Sequence, residues 1–388
     1  MATPVQLGDQ AVELPRLELR GLARRAAVPA ALVAVLGGTL LLGGGPARAF
    51  ADALARATEA DPRWIAAAAA FEILSFTGYI VLLWLVGGRA TQRIDLRASA
   101  QITLGGAAAT RLLPTAGVGG AVLTLWALRR SGLPSRVATR TLLTFLVLLY
   151  AVFLGTLLVA GGALALGLAH SDGPRALAAV PAAAAATAIL AALAMAALTR
   201  GAGADARAAR GLLPRARARG HEIAFALGAG VRGALQVLRT GDPRLLGALA
   251  WWTFDAAVLW AMLQAFGAPP GLAVLALAYV LGQVGNTLPI PGAVSGGIAG
   301  ALIAFGTPAE IALVSVLAYR AIAIWLPAPV GLAALGSLRR TLTAWGRQAA
   351  PVAAPEVTGQ VHARRPPRAH RPACEGAVAT TCRGALAA

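Results

Sequence analysis

Lysine is absent from this chain, and charged residues, aromatic residues and cysteines are scarce. All 34 basic residues are arginine, and charged residues occupy only 13% of the 388 positions, whereas 58% are hydrophobic. This balance excludes an ordinary soluble globular domain. The two cysteines, Cys374 and Cys382, both lie near the C-terminus, so no disulfide framework holds the core together. Their spacing with His362 and His370 matches no standard zinc pattern, and we predict neither a metal site nor a cofactor.

The net charge of +18 is the usual mark of a nucleic-acid-binding protein. Here the arginines cluster in the loops between apolar segments, as the positive-inside rule predicts for membrane proteins. We therefore expect no nucleic-acid partner. The arginine positions instead predict a multi-pass protein of the bacterial cell membrane with both termini in the cytoplasm.

Six apolar runs approach or exceed the roughly 20 residues that cross about 30 Å of hydrocarbon as a helix. They cover residues 26–42, 64–86, 141–168, 174–198, 245–266 and 308–335. We predict a cytoplasmic segment over 1–25, a transmembrane domain over 26–340 and a disordered Arg/Pro-rich cytoplasmic tail over 341–388. The sequence Ala47-Arg48-Ala49 resembles a signal-peptidase site, so the first run is either a retained span or a cleaved leader.

The basic loop 200–244 holds nine arginines against three acidic residues and is predicted to be cytoplasmic. Five apolar residues recur within it at helical spacing: Ile223, Leu227, Val231, Leu235 and Leu238. This pattern predicts either an amphipathic helix on the inner leaflet or a solvated linker.

Two further apolar segments, 98–128 and 271–305, are interrupted by proline and glycine. Non-helical backbone within the membrane is found only where it is surrounded by protein or lines a water-filled cavity, because lipid offers no hydrogen-bond partners. Each segment is therefore predicted to be a re-entrant hairpin. The breaks centre on Pro114 and Gly117 in the first segment, and on Pro289, Pro291 and Gly292 in the second.

The two breaks align with each other. Pro114 corresponds to Pro289 at an offset of 175 residues (289 minus 114), and Pro134 to Pro308 at an offset of 174 (308 minus 134). The arginine pattern predicts that the first hairpin enters the membrane from the cytoplasmic side and the second from the external side. The sequence thus predicts an inverted repeat, with halves about 64–168 and 245–335, in an all-α polytopic membrane helix bundle of about six full spans plus two hairpins. Such interrupted pairs indicate the substrate site of a transporter. The alternative is that the breaks serve helix packing through small residues.

Charged residues inside the predicted spans are candidates for function. Arg320 and Asp255 lie near the centres of their spans, and Glu72 lies about a third of the way along the second span. A central charge costs about 3 kcal/mol on insertion scales, so it should face the interior and find a partner. We predict an ion pair between Asp255 and Arg320, either structural or exchanging with an anionic headgroup. Arg111, beside the first break, is expected to give a phosphate a second, bidentate contact.

The LPIPG block at 288–292, the FGTP turn at 305–308 and the Tyr319-Arg320 pair, together with 111–134, resemble the lysylphosphatidylglycerol synthase transmembrane-region family. This family includes the flippase half of bacterial multiple-peptide-resistance factors. The resemblance implies an integral membrane protein that moves, or helps process, a lipid or lipid-linked headgroup. Members often carry a glutamate where this chain has Ser295. The candidate substrate-binding residues are Arg111, Pro114, Gly117, Asn286, Pro289, Pro291, Gly292, Ser295, Tyr319 and Arg320, with Asp255 and Glu72 as charge partners.

We expect a lipid flippase or transporter rather than an enzyme. Bifunctional relatives add a soluble aminoacyl-transferase domain, for which the roughly fifty residues after Leu335 are too few. Two alternatives remain open: a non-transporting membrane partner of a separately encoded lipid-modifying enzyme or glycosyltransferase, and a small-anion permease. A membrane lipid is the expected substrate, and a homodimer is compatible with the small-residue helix faces.

Overall fold

The computed structural model describes residues 61–112, 118–200, 212–267, 269–287 and 292–349, and these residues are helical with no β-strand. They form eleven α-helices: α1 (Pro62–Ala90), α2 (Leu96–Leu112), α3 (Gly119–Arg130), α4 (Ser135–Ala165), α5 (Arg175–Leu198), α6 (Leu212–Leu238), α7 (Leu246–Ala265), α8 (Leu272–Val284), α9 (Ala293–Ala304), α10 (Ala309–Trp325) and α11 (Pro327–Ala349). The short 3-10 turns Pro243–Leu245 and Gly285–Thr287 precede α7 and follow α8. The predicted all-α helix bundle is confirmed.

Five helical segments are long and apolar enough to cross a membrane. They are Pro62–Ala90, Ser135–Ala165, Arg175–Leu198, Pro243–Ala265 and Ala309–Arg347. These segments match five of the six predicted spans. The sixth, 26–42, lies outside the described residues, as does the segment 1–25.

The last of these segments is bent, and here the predicted boundaries were wrong. Helix α10 ends at Trp325 and α11 begins at Pro327, because proline has no N–H with which to continue the helical ladder. Helix α11 then runs to Ala349, past the predicted boundary at 340. Its last turns are part of the bundle: Leu342 and Trp345 are buried, and the Thr341 hydroxyl donates to Gln101 on α2 at 2.9 Å.

Loop 200–244 contains helix α6, over Leu212–Leu238, where the alternative prediction was a solvated linker. The helix packs on α4 and α5 through small residues, since a Cβ on Gly230 would lie 2.7 Å from the Leu143 Cβ. Of the five apolar residues that predicted the helix, Val231 is buried, whereas Ile223 is 61% exposed. Arg232 fixes the end of α5 by donating to the Ala196 carbonyl at 2.9 Å.

Helices α1 and α7 run antiparallel through the centre of the bundle. The ring of Trp64 lies against that of Trp260, with centroids 5.2 Å apart, and Phe71 stacks on Phe254. Further along α1, the Ser75 hydroxyl donates to the Trp251 carbonyl at 2.8 Å. From Trp64 to Ser75 along α1, the contacting residues of α7 have decreasing residue numbers, so the two helices run in opposite directions.

Helices α2 and α3 pack against each other, and so do α8 and α9, each pair at a glycine crossing. A Cβ on Gly106 would lie 3.2 Å from the Gly120 Cα. In the second pair, a Cβ on Gly297 would lie 3.0 Å from the Gly282 Cα. The corresponding glycines are separated by 176 and 177 residues (282 minus 106, 297 minus 120), close to the offset of the sequence repeat.

The segments that follow the two breaks have the same local structure. Helices α3 and α9 both contain 12 residues and begin at positions offset by 174 (293 minus 119). Each ends in a turn whose glycine has positive φ, 95° at Gly132 and 94° at Gly306. Each turn leads through a proline, Pro134 or Pro308, into the next helix. The predicted alignment of the two segments is thus matched by their local structure.

Two apolar cores lie at opposite ends of α1, α4 and α7. One joins α2, α3 and α11 to the later part of α1, around Leu82 and Leu85, and to the earlier part of α4. The other joins α8, α9 and α10 to the opposite ends of the same helices, around Ala68 of α1 and Leu157 of α4. The pair α2–α3 and the pair α8–α9 are therefore held at opposite ends of the central helices.

Alanine at Gly132 or at Gly306 is expected to destabilise the protein by about 1–2 kcal/mol, the cost of a positive φ for an L-residue. The cost is conformational, since a Cβ there would meet nothing closer than 3.8 Å and 3.6 Å, respectively. Thermal unfolding in detergent measures both variants. Gly155→Ala is the control, because Gly155 is helical and a Cβ there meets nothing within 4 Å. If the two alanine variants lost clearly different amounts of stability, the two turns would not be structurally equivalent.

A charged cluster closes the connection between α6 and α7. The Asp242 carboxylate accepts from the Arg244 backbone N–H at 3.0 Å and from its guanidinium at 2.7 Å, and Arg89 approaches within 3.5 Å. The hydrogen bond from the Arg244 side chain, followed by that from its backbone, lowers the pKa of Asp242 to about 2. The carboxylate therefore stays ionised across physiological pH and joins the end of α1 to the start of α7.

Candidate functional site

Four of the predicted site residues, Pro114, Gly117, Pro289 and Pro291, lie outside the described residues. Arg111 falls in the last turn of α2, directly before the first gap. The remaining predictions are on described backbone, and they divide between the edge of the second break and the interior of the bundle.

At the edge of the second break, Gly292 takes φ 83° and precedes α9. Its carbonyl accepts from the Gly296 N–H at 2.8 Å, which starts the helix. Ser295 is half-buried in the first turn of α9. Across the gap, the side-chain amide of the exposed Asn286 donates to the Gln283 side-chain oxygen at 2.7 Å. The break is thus flanked by polar groups on both sides.

A polar cluster, formed by Asp255, Tyr279, Gln283 and Tyr319, occupies the interior beside this break; we refer to it as the Asp255 cluster. Asp255 lies at the middle of α7 and is 4% exposed. The Tyr279 hydroxyl donates to its Oδ2, and the Tyr319 hydroxyl donates to the same oxygen at 3.0 Å. The Gln283 amide lies 3.4 Å from Oδ2 and 3.1 Å from the Tyr319 hydroxyl oxygen. Three helices, α7, α8 and α10, meet at one carboxylate.

The predicted ion pair between Asp255 and Arg320 is not formed, and this prediction was wrong. Asp255 takes its hydrogen bonds from tyrosine and glutamine, and no ion pair or hydrogen bond joins Arg320 to another residue that the structure describes. The reason is the rotation of α10. Tyr319 and Arg320 are consecutive and point in directions about 100° apart on a helix, so only one of them faces α7. Tyr319 does, and Arg320 is half-buried beside it.

Only one oxygen of the Asp255 carboxylate is satisfied. Oδ1 is buried and has no hydrogen-bond partner among the residues described here. A buried anionic oxygen without a donor is costly, and such groups cluster at functional sites. The arrangement can accept a proton, an ammonium group or another donor at Oδ1 without disturbing the bonds to Oδ2.

Glu72 is also buried, at 1% exposure, on the part of α1 that packs against α7. Its neighbours Phe71 and Ser75 contact Phe254 and Trp251 of α7. The second predicted charge partner is therefore in the interior, as expected for an ionisable residue in a membrane helix.

Tyr279 and Gln283 are site residues that sequence reasoning missed. They lie four residues apart, and therefore on one face of α8, which is otherwise apolar. Two hydrogen-bonding side chains at that spacing in a membrane helix are the signal that could have identified them, since such groups seek a common partner.

An apolar cavity of about 420 Å³ lies between α4, α7 and α8. It is lined by Thr156, Trp252, Trp260, Leu272, Leu275 and Tyr279, among others. Leu272 is 74% exposed, so the cavity reaches the surface of the bundle. Because Tyr279 also bonds to Asp255, one side chain borders both the cavity and the Asp255 cluster. A surface-open apolar groove beside a buried polar group suits an amphiphile.

Comparison with known proteins identifies one family. The family model described as the lysylphosphatidylglycerol synthase TM region matches residues 26–331, which include all the described helices up to the start of α11. A search of curated proteins finds no match to this chain.

Proposed function

The chain belongs to the lysylphosphatidylglycerol synthase transmembrane-region family, and from this premise we propose that it moves a lipid between the two leaflets of the membrane. The proposed substrate is an anionic or aminoacylated phospholipid, or a lipid-linked group of similar charge. The observation that carries the proposal is the Asp255 cluster, a buried polar site that shares Tyr279 with a surface-open apolar cavity. A lipid needs both environments while its headgroup crosses the hydrocarbon.

We further propose that the pairs α2–α3 and α8–α9 are re-entrant hairpins of an inverted repeat. Three observations support this: the antiparallel crossing of α1 and α7, the similar turns at Gly132 and Gly306, and the attachment of the pairs to opposite ends of α1. Inverted repeats with broken helices hold substrate near the midplane and alternate access by rocking. The Asp255 cluster, where α7, α8 and α10 meet, is the proposed pivot.

Arginine distribution supports an orientation with the α2–α3 end in the cytoplasm of a bacterial cell. The later end of α1 and the connection after α3 carry Arg89, Arg93, Arg129 and Arg130, whereas the α4–α5 connection is nearly neutral. In this orientation the second hairpin enters from the outside. Both termini then lie in the cytoplasm.

The charges near the proposed site favour an aminoacylated phospholipid over a simple anion. Arg320 has no described partner and suits a phosphate through its planar fork of donors. Asp255 has an unsatisfied oxygen and suits an ammonium group. An aminoacylated phospholipid carries both groups. We propose transport rather than catalysis as the role of these residues.

Reconstitution into liposomes tests the proposal. Purified protein is inserted into phosphatidylcholine vesicles that contain fluorescent phosphatidylglycerol or its aminoacylated form, and leaflet exchange is followed by quenching of the outer leaflet. We expect exchange of at least one of these lipids. Movement of a soluble anion without lipid exchange would instead indicate a permease, and the absence of both would favour a non-transporting partner of a lipid-modifying enzyme.

Replacing Arg320 by alanine is expected to slow lipid exchange by about 10- to 100-fold, the value of a charge-assisted bond to phosphate of 1.5–3 kcal/mol. We expect the same of Arg111→Ala. Arg320→Lys should fall between wild type and alanine, because it keeps the charge but loses the bidentate geometry. Arg339→Ala is the control, since Arg339 is exposed on α11. All variants should insert normally, and wild-type exchange by both alanine variants would exclude the phosphate role.

A further inference from the structure

We propose that Asp255 is a proton-coupling carboxylate, which takes up and releases a proton at Oδ1 in each cycle and so links lipid movement to a pH difference across the membrane. The inference rests on the proposed transport function. It adds an energy source, which neither the family nor the fold specifies.

The hydrogen bonds of Asp255 are distributed unevenly. Tyr279, Tyr319 and Gln283 all direct donors to Oδ2, whereas Oδ1 receives none from the described residues. Oδ2 is thus occupied by donors, and the buried Oδ1 is the oxygen at which a proton can be bound without displacing a hydrogen bond.

No cationic side chain neutralises Asp255 within the described part of the bundle. Helices α1, α4, α8 and α10 pack around α7 near this level. Two of their titratable side chains, Tyr279 on α8 and Tyr319 on α10, bond to Asp255. The rings of Tyr79 on α1 and Tyr150 on α4 contact Trp251 and Trp252 of α7, Glu72 on α1 is buried, and Arg320 is half-buried on a face of α10 turned away from α7. Of these only Arg320 is basic, and it makes no ion pair with Asp255. In the proposal the proton is the cation that Oδ1 takes up, since it is the smallest and the oxygen is fully buried.

A polar path leads from Asp255 to the edge of the second break. The Gln283 amide links Oδ2 of the carboxylate to the side chain of Asn286, which is exposed. In the proposed step, water that enters along this polar side of the carboxylate brings the proton to the neighbouring Oδ1. On uptake, hydronium gives one proton to Oδ1, an O–H bond forms, and a water molecule and a neutral carboxylic acid remain. Release to water on the other side of the membrane reverses the step.

Protonation changes how tightly the helices are held. In the carboxylate form, Oδ2 bonds to Tyr279 of α8 and Tyr319 of α10, and these bonds tie both helices to α7. Bonds to an ionised acceptor are roughly twice as strong as bonds to a neutral one. Neutralising Asp255 therefore loosens α8, and with it α9, from α7. This is the local change through which proton binding biases the rocking of one repeat against the other.

Vesicles with an imposed pH gradient test the coupling. Fluorescent phosphatidylglycerol and its aminoacylated form serve as probes, and the steady leaflet ratio is measured with the gradient in each direction. With one proton per lipid, a gradient of one pH unit supports at most about a tenfold asymmetry, which reverses with the gradient. Asp255→Asn should abolish the asymmetry. Glu222→Gln, an exposed acid on α6, should retain it. The coupling is overturned if the leaflet ratio of wild type does not change with the gradient, or if the asymmetry persists in Asp255→Asn. Lipid exchange observed in the same vesicles would still support the flippase proposal.

Infrared difference spectroscopy on the reconstituted protein gives a second readout, which needs no transport. Between about pH 4 and about pH 9, wild type should show a carboxylic-acid C=O band that titrates. The band should disappear in Asp255→Asn and persist in Glu222→Gln. Should neither lipid be exchanged, the flippase proposal fails, and this band still decides whether Asp255 exchanges a proton. A spectrum in which Asp255→Asn removes no titrating band overturns the proposal.

Discussion

Replacing Gly247 by alanine is expected to destabilise the protein by about 3 kcal/mol, the upper end of the usual cost of overpacking. A Cβ on Gly247 would collide with the Gly78 carbonyl oxygen and lie 3.1 Å from the Leu82 nitrogen. These are backbone atoms of α1, so no side-chain rotation relieves the contact. The two helices must separate, and both apolar cores contain residues of α1 and α7.

The loss of stability is measured by thermal unfolding in detergent. At each temperature, gel filtration gives the fraction of protein that remains monodisperse. Gly162→Ala is the matched control, because a Cβ on Gly162 in α4 meets nothing within 4 Å. Gly78→Ala should also be destabilising, since its Cβ would lie 2.7 Å from the Ala250 Cβ. In the double variant the second substitution should cost less than it does alone, because the first has already opened the crossing. Wild-type stability in Gly247→Ala would mean that α1 and α7 do not cross here.

Removing the hydroxyls of Tyr279 and Tyr319 together is expected to cost about 3–6 kcal/mol, at 1.5–3 kcal/mol for each bond to a charged group. The double variant Tyr279→Phe/Tyr319→Phe leaves the buried Asp255 with the Gln283 amide at 3.4 Å as its remaining described partner. The phenylalanine rings keep the packing, so the loss reports the polar interaction rather than a cavity.

Adding Asp255→Leu to that double variant should recover most of the stability. Leucine has the branched shape of aspartate without its polar atoms, and replacing all partners of a buried polar interaction by apolar groups is often nearly neutral. Unfolding in detergent again provides the measurement. Tyr150→Phe is the control, because Tyr150 is 49% exposed and contacts Trp252 through its ring. A double variant as stable as wild type, or a triple variant no better than the double, would show that the cluster does not hold α7, α8 and α10 together.

Much of the architecture could be predicted from the sequence. The five confirmed spans follow from apolar length, since lipid requires a helix of a certain extent with every backbone bond satisfied internally. The two corresponding turns could be recognised from proline and glycine, because these residues set backbone geometry locally. Gly132 and Gly306, offset by 174, indeed take the same positive φ. Local signals of this kind do not depend on what packs against them.

Helix ends and faces were less predictable. Pro327 ends α10 within a run that is apolar throughout, and α11 continues to Ala349 because its later turns pack on α2. In α6 the buried face is formed by glycine and alanine together with Val231 and Val237, whereas the larger apolar residues Ile223 and Leu227 are exposed. Hydropathy cannot distinguish these faces in a membrane protein, because lipid and protein interior are both apolar.

By itself, the sequence determined that this protein is a membrane helix bundle and where five of its spans lie. Only the tertiary structure decided which buried groups meet. Asp255 is bound by Tyr279 and Tyr319 rather than by Arg320, and Trp252, Leu275 and Tyr279 line a cavity beside it. A charge in a membrane helix needs a partner, and this need can be read from one segment. The partner it finds depends on how three separate helices are rotated about their axes, which tertiary packing sets and no single segment records.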